Sequence, residues 1–256
     1  MCLALGTDGL DRRTLLGRLT RLGGSAAALM ALGPVVWAQS GNDAPLPAEV
    51  ANVKLPLSAL VLKAAREVYA HALPVIYFHS VRTFVLASLF ADSRPEKWTF
   101  DRELVMLASL FHDIGLTDAR EIRGRPFEVA SAELAREFVL REGGFSARDA
   151  DLVYRGIALH MGNAAQNQPE REVQLIQIGA VIDLFSQKPR VHGGDDFPTQ
   201  DEIDRIARAL PRHRFKTAFL EEQRAHVART NDPGPIVGWL ADPNVPPRIA
   251  ASRWPG

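Results

Sequence analysis

Four residues could do chemistry together: His79, His112, Asp113 and Asp183. Each interrupts an otherwise apolar run. His79 sits between "VIYF" and "SVRTFVL", His112 and Asp113 end the run "LVMLASLF", and Asp183 lies inside "QIGAVIDLF". A buried, unpaired carboxylate is costly, so something must compensate these groups. Two imidazoles and two carboxylates suit one divalent cation whose shell is completed by water. Adjacent helical residues point about 100° apart, so His112 and Asp113 reach one ion only from near a helix end. The single cysteine, Cys2, rules out a thiolate cluster. The expected cofactor is therefore one divalent ion on nitrogen and oxygen ligands, zinc first, with iron or manganese next.

Other residues near this set carry several readings. His160 is the only histidine between Asp113 and Asp183. As the residue closing a helix near Gly162, it fits three roles: a substrate-facing acid or base, a donor to a ligand, or a cap suited to the helix dipole. Glu128, in the first turn of its helix, either joins the chemistry or complements the dipole. Arg82, one turn after His79, either binds an anion or pairs with Asp113 or Asp118. His71, His192, His213 and His226 have no such context and read as surface or structural.

The elements that must position these residues are helical almost throughout. Apolar spacing predicts helices over 58–73 and 76–91, with Pro74 breaking between them. A third runs from an Asp101 cap to a stop at Gly115, and a fourth from Phe127 to Gly143. A fifth runs from Ser146 to His160, and a sixth from Gln174 to Ser186. "PRVHGGDDFPTQ" reads as a loop, followed by helices over 201–210 and 215–230. No β-alternation or Gly-rich phosphate loop appears. The expected fold is all-α, with a helical domain over 57–230, a linker at 39–56 and a Pro-rich tail at 231–256.

The chain has 256 residues, 46% hydrophobic and 23% charged, with formal net charge +0. That is enough for one core, and it gives no electrostatic reason to expect nucleic acid. Residues 1–38 read as an export signal: Arg12 and Arg13 precede Leu15 and Leu16, a Gly/Ala-rich apolar stretch follows, and Val36-Trp37-Ala38 offers a cleavage point. The pattern resembles a twin-arginine signal. Its use implies a periplasmic or secreted protein, and its disuse a cytoplasmic one. No second apolar stretch is expected to span a bilayer, so no lasting membrane contact is expected after cleavage. The expected partner is a small-molecule substrate, with a homo-oligomer open.

The order His, His-Asp, Asp on successive helices resembles the HD superfamily of metal-dependent hydrolases, whose central motif often reads "HDIG". The resemblance covers roughly Val75 to Ser186. More narrowly, "HSVRTF", "FHDIGLTD", "RPFEVASAELAREFV" and "GIALHMG" resemble the cyanamide hydratase-like branch. The resemblance implies an HD-type helical bundle around a mononuclear metal held by His79, His112, Asp113 and Asp183. The candidate catalytic residues are His160, Asp113 and Glu128, and the candidate substrate contacts are Arg82 and Thr117. Val129-Ala130-Ser131 stands where that branch often has Asp-Gly-Ala. The function so implied is hydration of a small nitrile such as cyanamide to urea. An HD-type phosphohydrolase, with Arg120, Arg123 and Arg125 as a clamp, is the alternative, and a non-catalytic binding module the second.

Overall fold

The computed structural model describes residues 44–117 and 124–255. The expected signal (1–38), the first residues of the expected linker, and Asp118, Arg120 and Arg123 lie outside the described residues. The description below concerns the unit that begins at Val36.

Ten α-helices dominate the described residues. They are α1 (Ala59–His71), α2 (Pro74–Ser93), α3 (Arg102–Phe111), α4 (Phe127–Glu142), α5 (Ala147–Ala158), α6 (Arg171–Phe185), α7 (Gln200–Ala209), α8 (Phe215–Thr230), α9 (Pro235–Ala241) and α10 (Val245–Ala250). The starts are written in the sequence. Ser58 accepts a hydrogen bond from Val61 N, and Asp101 accepts from Glu103 N and Leu104 N. Ser146 with Asp149, and Thr199 with Glu202, form capping boxes on α5 and α7. Pro74 ends nothing by itself. It is the first residue of α2, where its missing N–H costs no helical bond.

The centre of the fold is the crossing of α2 and α6, both apolar around nearly their whole circumference. Helix α2 is long and apolar enough to cross a bilayer, which differs from the sequence expectation, but its apolar stretch is 89% buried inside the fold. The crossing is close because of Gly179. A Cβ there would stand 2.1 Å from the Thr83 carbonyl oxygen. One turn away on each helix lie Asp183 and His79, so the close approach brings these two side chains together.

Two segments differ from expectation. The described part of the linker is folded: Glu49–Val50 pairs antiparallel with Val53–Lys54, with Ala51 and Asn52 left-handed between them. Ala44, Leu46, Val50, Val53 and Leu55 are buried. Two-residue strands are too short to show alternation. The Pro-rich tail is also structured. Its prolines open α9 and α10, and Trp254 is buried with its indole N–H donating to Ile182 O at 3.0 Å.

Candidate metal centre

His112 caps the C-terminus of α3, and its position follows from the helix. Its Nδ1 lies 2.7 Å from Ser109 O, one turn back. A carbonyl only accepts, so Nδ1 carries the proton and Nε2 keeps its lone pair. His160, beyond the end of α5, repeats the device, with Nδ1 2.6 Å from Ile157 O. His79 donates from Nδ1 to Asp183 Oδ2 at 2.7 Å. All three imidazoles thus carry the proton on the outer nitrogen and turn Nε2 toward one cavity.

Asp113 follows His112 and opens a short 3-10 turn over Ile114–Leu116. Gly115 in that turn needs no special backbone angle. It is small because α4 presses on it: a Cβ would lie 2.5 Å from Phe127 O and 2.8 Å from Ser131 Oγ. Its N–H donates to Ser131 Oγ at 2.9 Å. This contact places Asp113 between the histidines. Oδ2 stands 3.5 Å from His79 Nε2 and 3.4 Å from His112 Nε2, and Oδ1 stands 3.4 Å from His160 Nε2.

The donor set has the gaps that a metal ion would fill. His112 Nε2 and Asp113 Oδ2 are buried and have no hydrogen-bond partner among the described residues. Such groups are costly unless something fills the gap between them. Ligands about 2.0–2.1 Å from a tetrahedral ion stand about 3.3–3.4 Å apart, close to the separations seen around Oδ2. His79, His112 and Asp113 offer donor atoms that all lie within 4.8 Å of one another. This buried His-His-Asp cluster fits a divalent metal.

The expected fourth ligand stands elsewhere. Both oxygens of Asp183 are occupied: Oδ1 by Arg82 Nε at 2.8 Å and Arg212 Nη1 at 2.5 Å, Oδ2 by Arg82 Nη2 at 3.0 Å and His79 Nδ1. As it stands Asp183 holds the ring of His79, and it is not among the residues of the His79-His112-Asp113 cluster. Arg82 is corrected likewise. It is fully buried, its carboxylate partner is Asp183, and Nη1 donates to Pro211 O at 2.9 Å, so it meets no substrate. Arg212 was missed. It lies in the turn "LPRHRF", which reads as a charged loop, yet it is buried, stacks over Phe215 and Trp254, and also donates to Asp183 O.

Electrostatics follow from these contacts. Burial opposes the charge of Asp183, but Arg212, Arg82 and His79 hold its carboxyl well below the usual carboxylate range. Burial likewise opposes Asp113, and the surrounding histidines outweigh it and hold the carboxyl low. Burial pushes His112 down to about 3, keeping it neutral as a ligand must be. Burial also works to lower His160, but its contact with Asp113 and that charge prevail and raise it.

The cavity over the cluster has a volume of about 170 Å³. His160 lines it beside the three donors, with Asn163, Gln177, Phe219 and Trp239 among its other walls. Gln177 could have been noticed in the sequence as a polar residue on an otherwise apolar helix. Thr117 and Glu128 do not line the cavity. Thr117 is half-buried beyond the 3-10 turn. Glu128 is buried at the start of α4, where burial raises its carboxyl pKa and one oxygen lacks a partner among the described residues. Of the histidines without sequence context, His226 binds Asp232 at 2.9 Å and His192 binds Gln166 at 2.8 Å, while His71 and His213 are exposed.

Comparison with known proteins agrees with this construction. Residues 76–184 match the HD domain family model, a stretch that contains His79, His112, Asp113, His160 and Asp183. Residues 76–184, within an all-α bundle, are thus similar to an HD domain, which supports a relationship to the metal-dependent HD hydrolases.

Among curated proteins it is similar to cyanamide hydratase DDI2 and cyanamide hydratase DDI3 of Saccharomyces cerevisiae. Each is 25% identical over 158 residues, which is 61% of this chain and 65% of the relative. The relationship is cyanamide hydratase-like at the level of the family.

Proposed function

We propose that this protein is a metal-dependent enzyme that adds water to a small uncharged group, with a nitrile such as cyanamide as the model substrate and zinc as the ion. The carrying observation is the cavity wall. Among the described residues that line it there is no lysine or arginine. Transfer to or from a phosphate ester calls for cationic groups around the phosphoryl oxygens. Arg82 and Arg212, which lie close by, are spent on Asp183. Among the described residues this favours an uncharged reacting group over the phosphohydrolase reading, whose Arg120 and Arg123 lie outside them, and the names of the relatives point the same way.

His79, His112 and Asp113 would hold a divalent ion, which when bound would supply a water nucleophile at neutral pH and polarise the group under attack. The chain does the rest. Asp183 fixes the ring of His79, and Ser109 O fixes that of His112, so both lone pairs stay aimed at one point. His160, which lines the cavity with Nε2 3.4 Å from Asp113 Oδ1, would move a proton between the attacking water and the nitrile nitrogen. Apolar walls from Phe219, Val181 and Leu184 exclude bulk water. Water added across cyanamide in this way yields urea.

The test is a purified chain loaded in turn with zinc, iron and manganese and assayed for urea from cyanamide and for phosphate-ester cleavage. Metal-dependent urea formation is expected. Stoichiometric metal with turnover of phosphate esters alone would overturn the reading, and a chain that binds no metal would point to a binding module. We also propose that residues 1–38 direct export. Changing Arg12 and Arg13 to lysine should retain the protein in the cytoplasm, and undiminished export of that variant would remove the twin-arginine reading.

A further inference from the structure

The metal cavity opens beside a much wider groove of about 690 Å³. Asn163, Gln177 and Val181 line both, so the two spaces share a wall. That shared wall is fixed. His192 Nε2 meets Gln166 Oε1 at 2.8 Å, Gln166 Nε2 donates to Gln177 Oε1 at 2.6 Å, and Gln177 Nε2 donates to Gly162 O. Both polar ends of the Gln177 amide are therefore committed, and the boundary has one arrangement.

Charge changes across this boundary. The cavity wall has no cation among the described residues, whereas the groove is lined by Lys188, Arg190 and Arg248 against one carboxylate, Asp242. Lys188 is spoken for by Asp195 at 3.0 Å. Asp242 is turned onto Asn244, accepting from its backbone N at 2.9 Å and its side chain at 2.8 Å. Arg248 is held with its guanidinium 4.1 Å from the ring of Phe185, another groove residue; its charge acts on Asp242, but its N–H groups make no hydrogen bond among the described residues. The guanidinium of Arg190 has no hydrogen bond or ion pair among the described residues. Two forks of donors therefore face a space that a molecule as small as cyanamide would leave empty, and such forks match a planar carboxylate.

We propose that the substrate has two parts: an uncharged reacting head that enters the metal cavity, and a carboxylate tail that lies in the groove against Arg190 and Arg248. The head half rests on the hydration reading above, and the tail half rests on the groove alone. The substrate class is then an elongated organic acid bearing a small hydratable group, and the two arginines are specificity-determining residues that take no part in the bond changes.

The experiment compares ω-cyanoalkanoates of increasing length with uncharged nitriles of the same length. Turnover of the metal-loaded enzyme and binding by calorimetry are both measured, in the wild type and in an Arg190→Gln, Arg248→Gln double variant. Both positions are exposed, so the variant should fold. At one tail length the acid should be favored about tenfold in binding and in kcat/KM, and the double variant should lose that preference. Equal binding of charged and uncharged nitriles, or a preference that survives in the double variant, overturns the proposal. Arginine-dependent binding of the acids without turnover of any nitrile would uphold the groove and overturn the hydration reading. Turnover of nitriles without a tail preference would do the reverse.

Discussion

The Nδ1–H of His79 donates to Asp183 Oδ2 across 2.7 Å, while two arginines occupy the remaining lone pairs of that carboxylate. One buried anion thereby decides which nitrogen of a metal-facing imidazole is free. Replacing it keeps the donors and removes their alignment. In Asp183→Asn, metal affinity should fall about 10–100-fold, the range for partners that orient a ligand. Chelator competition measures this. Loss of all binding would instead make Asp183 a ligand, and unchanged affinity would remove its orienting role.

The same carboxylate sets the behaviour of the metal-free protein in acid. Its folded pKa is depressed below the unfolded value of about 3.9. It therefore contributes stability that is present above that value and is lost as pH falls toward the folded one. Asp113, also depressed, acts in the same sense. Denaturant midpoints should drop steeply below about pH 4 in the wild type and more gently in Asp183→Asn. Equal slopes in the two proteins would show that the arginine pairs do not hold the carboxyl low.

Gly179 should tolerate no side chain. An added Cβ would meet the Thr83 backbone at 2.1 Å, so α2 and α6 must part. Gly179→Ala should cost about 1–3 kcal/mol or more. It should also weaken metal binding, because His79 and Asp183 lie one turn from the contact. Thermal unfolding and metal titration of one preparation test both. A stable variant with normal affinity would mean the helices separate freely.

His160 separates chemistry from ligation. His160→Ala should lower turnover by about 10²–10⁴-fold with metal content unchanged, as expected for one acid or base. Weakened metal binding would make it a ligand. Full activity would leave it a helix-end residue bonded to Ile157 O.

Much of this site was legible in the sequence, because polar residues stranded in apolar helices announce themselves. His79, His112, Asp113 and Asp183 stood out on that ground, and the helices that carry them are close to the expected ones. What burial cannot announce is a partner. Asp183 reads as a ligand or as half of an ion pair with equal ease until the arginines are placed. Arg212 lies in a turn rich in Pro and Arg, where charge usually means solvent, and only the packing of Phe215 and Trp254 around it shows otherwise. Gly115 reads as a helix stop, although its helix ends at Phe111 and its small size answers to Phe127 and Ser131, and Gly179 gives no local signal, since it answers to Thr83 on a helix far away in sequence. The hairpin and the C-terminal helices are too short to produce a period.

Trp254 bonds to the carbonyl of Ile182, next to Asp183, and Arg253 bonds to Ser186. A truncation before Arg253 would therefore keep all three donors and the arginines that hold Asp183 while removing the bonds to Ile182 O and Ser186 Oγ behind it, so the site's shape depends on residues that never touch it.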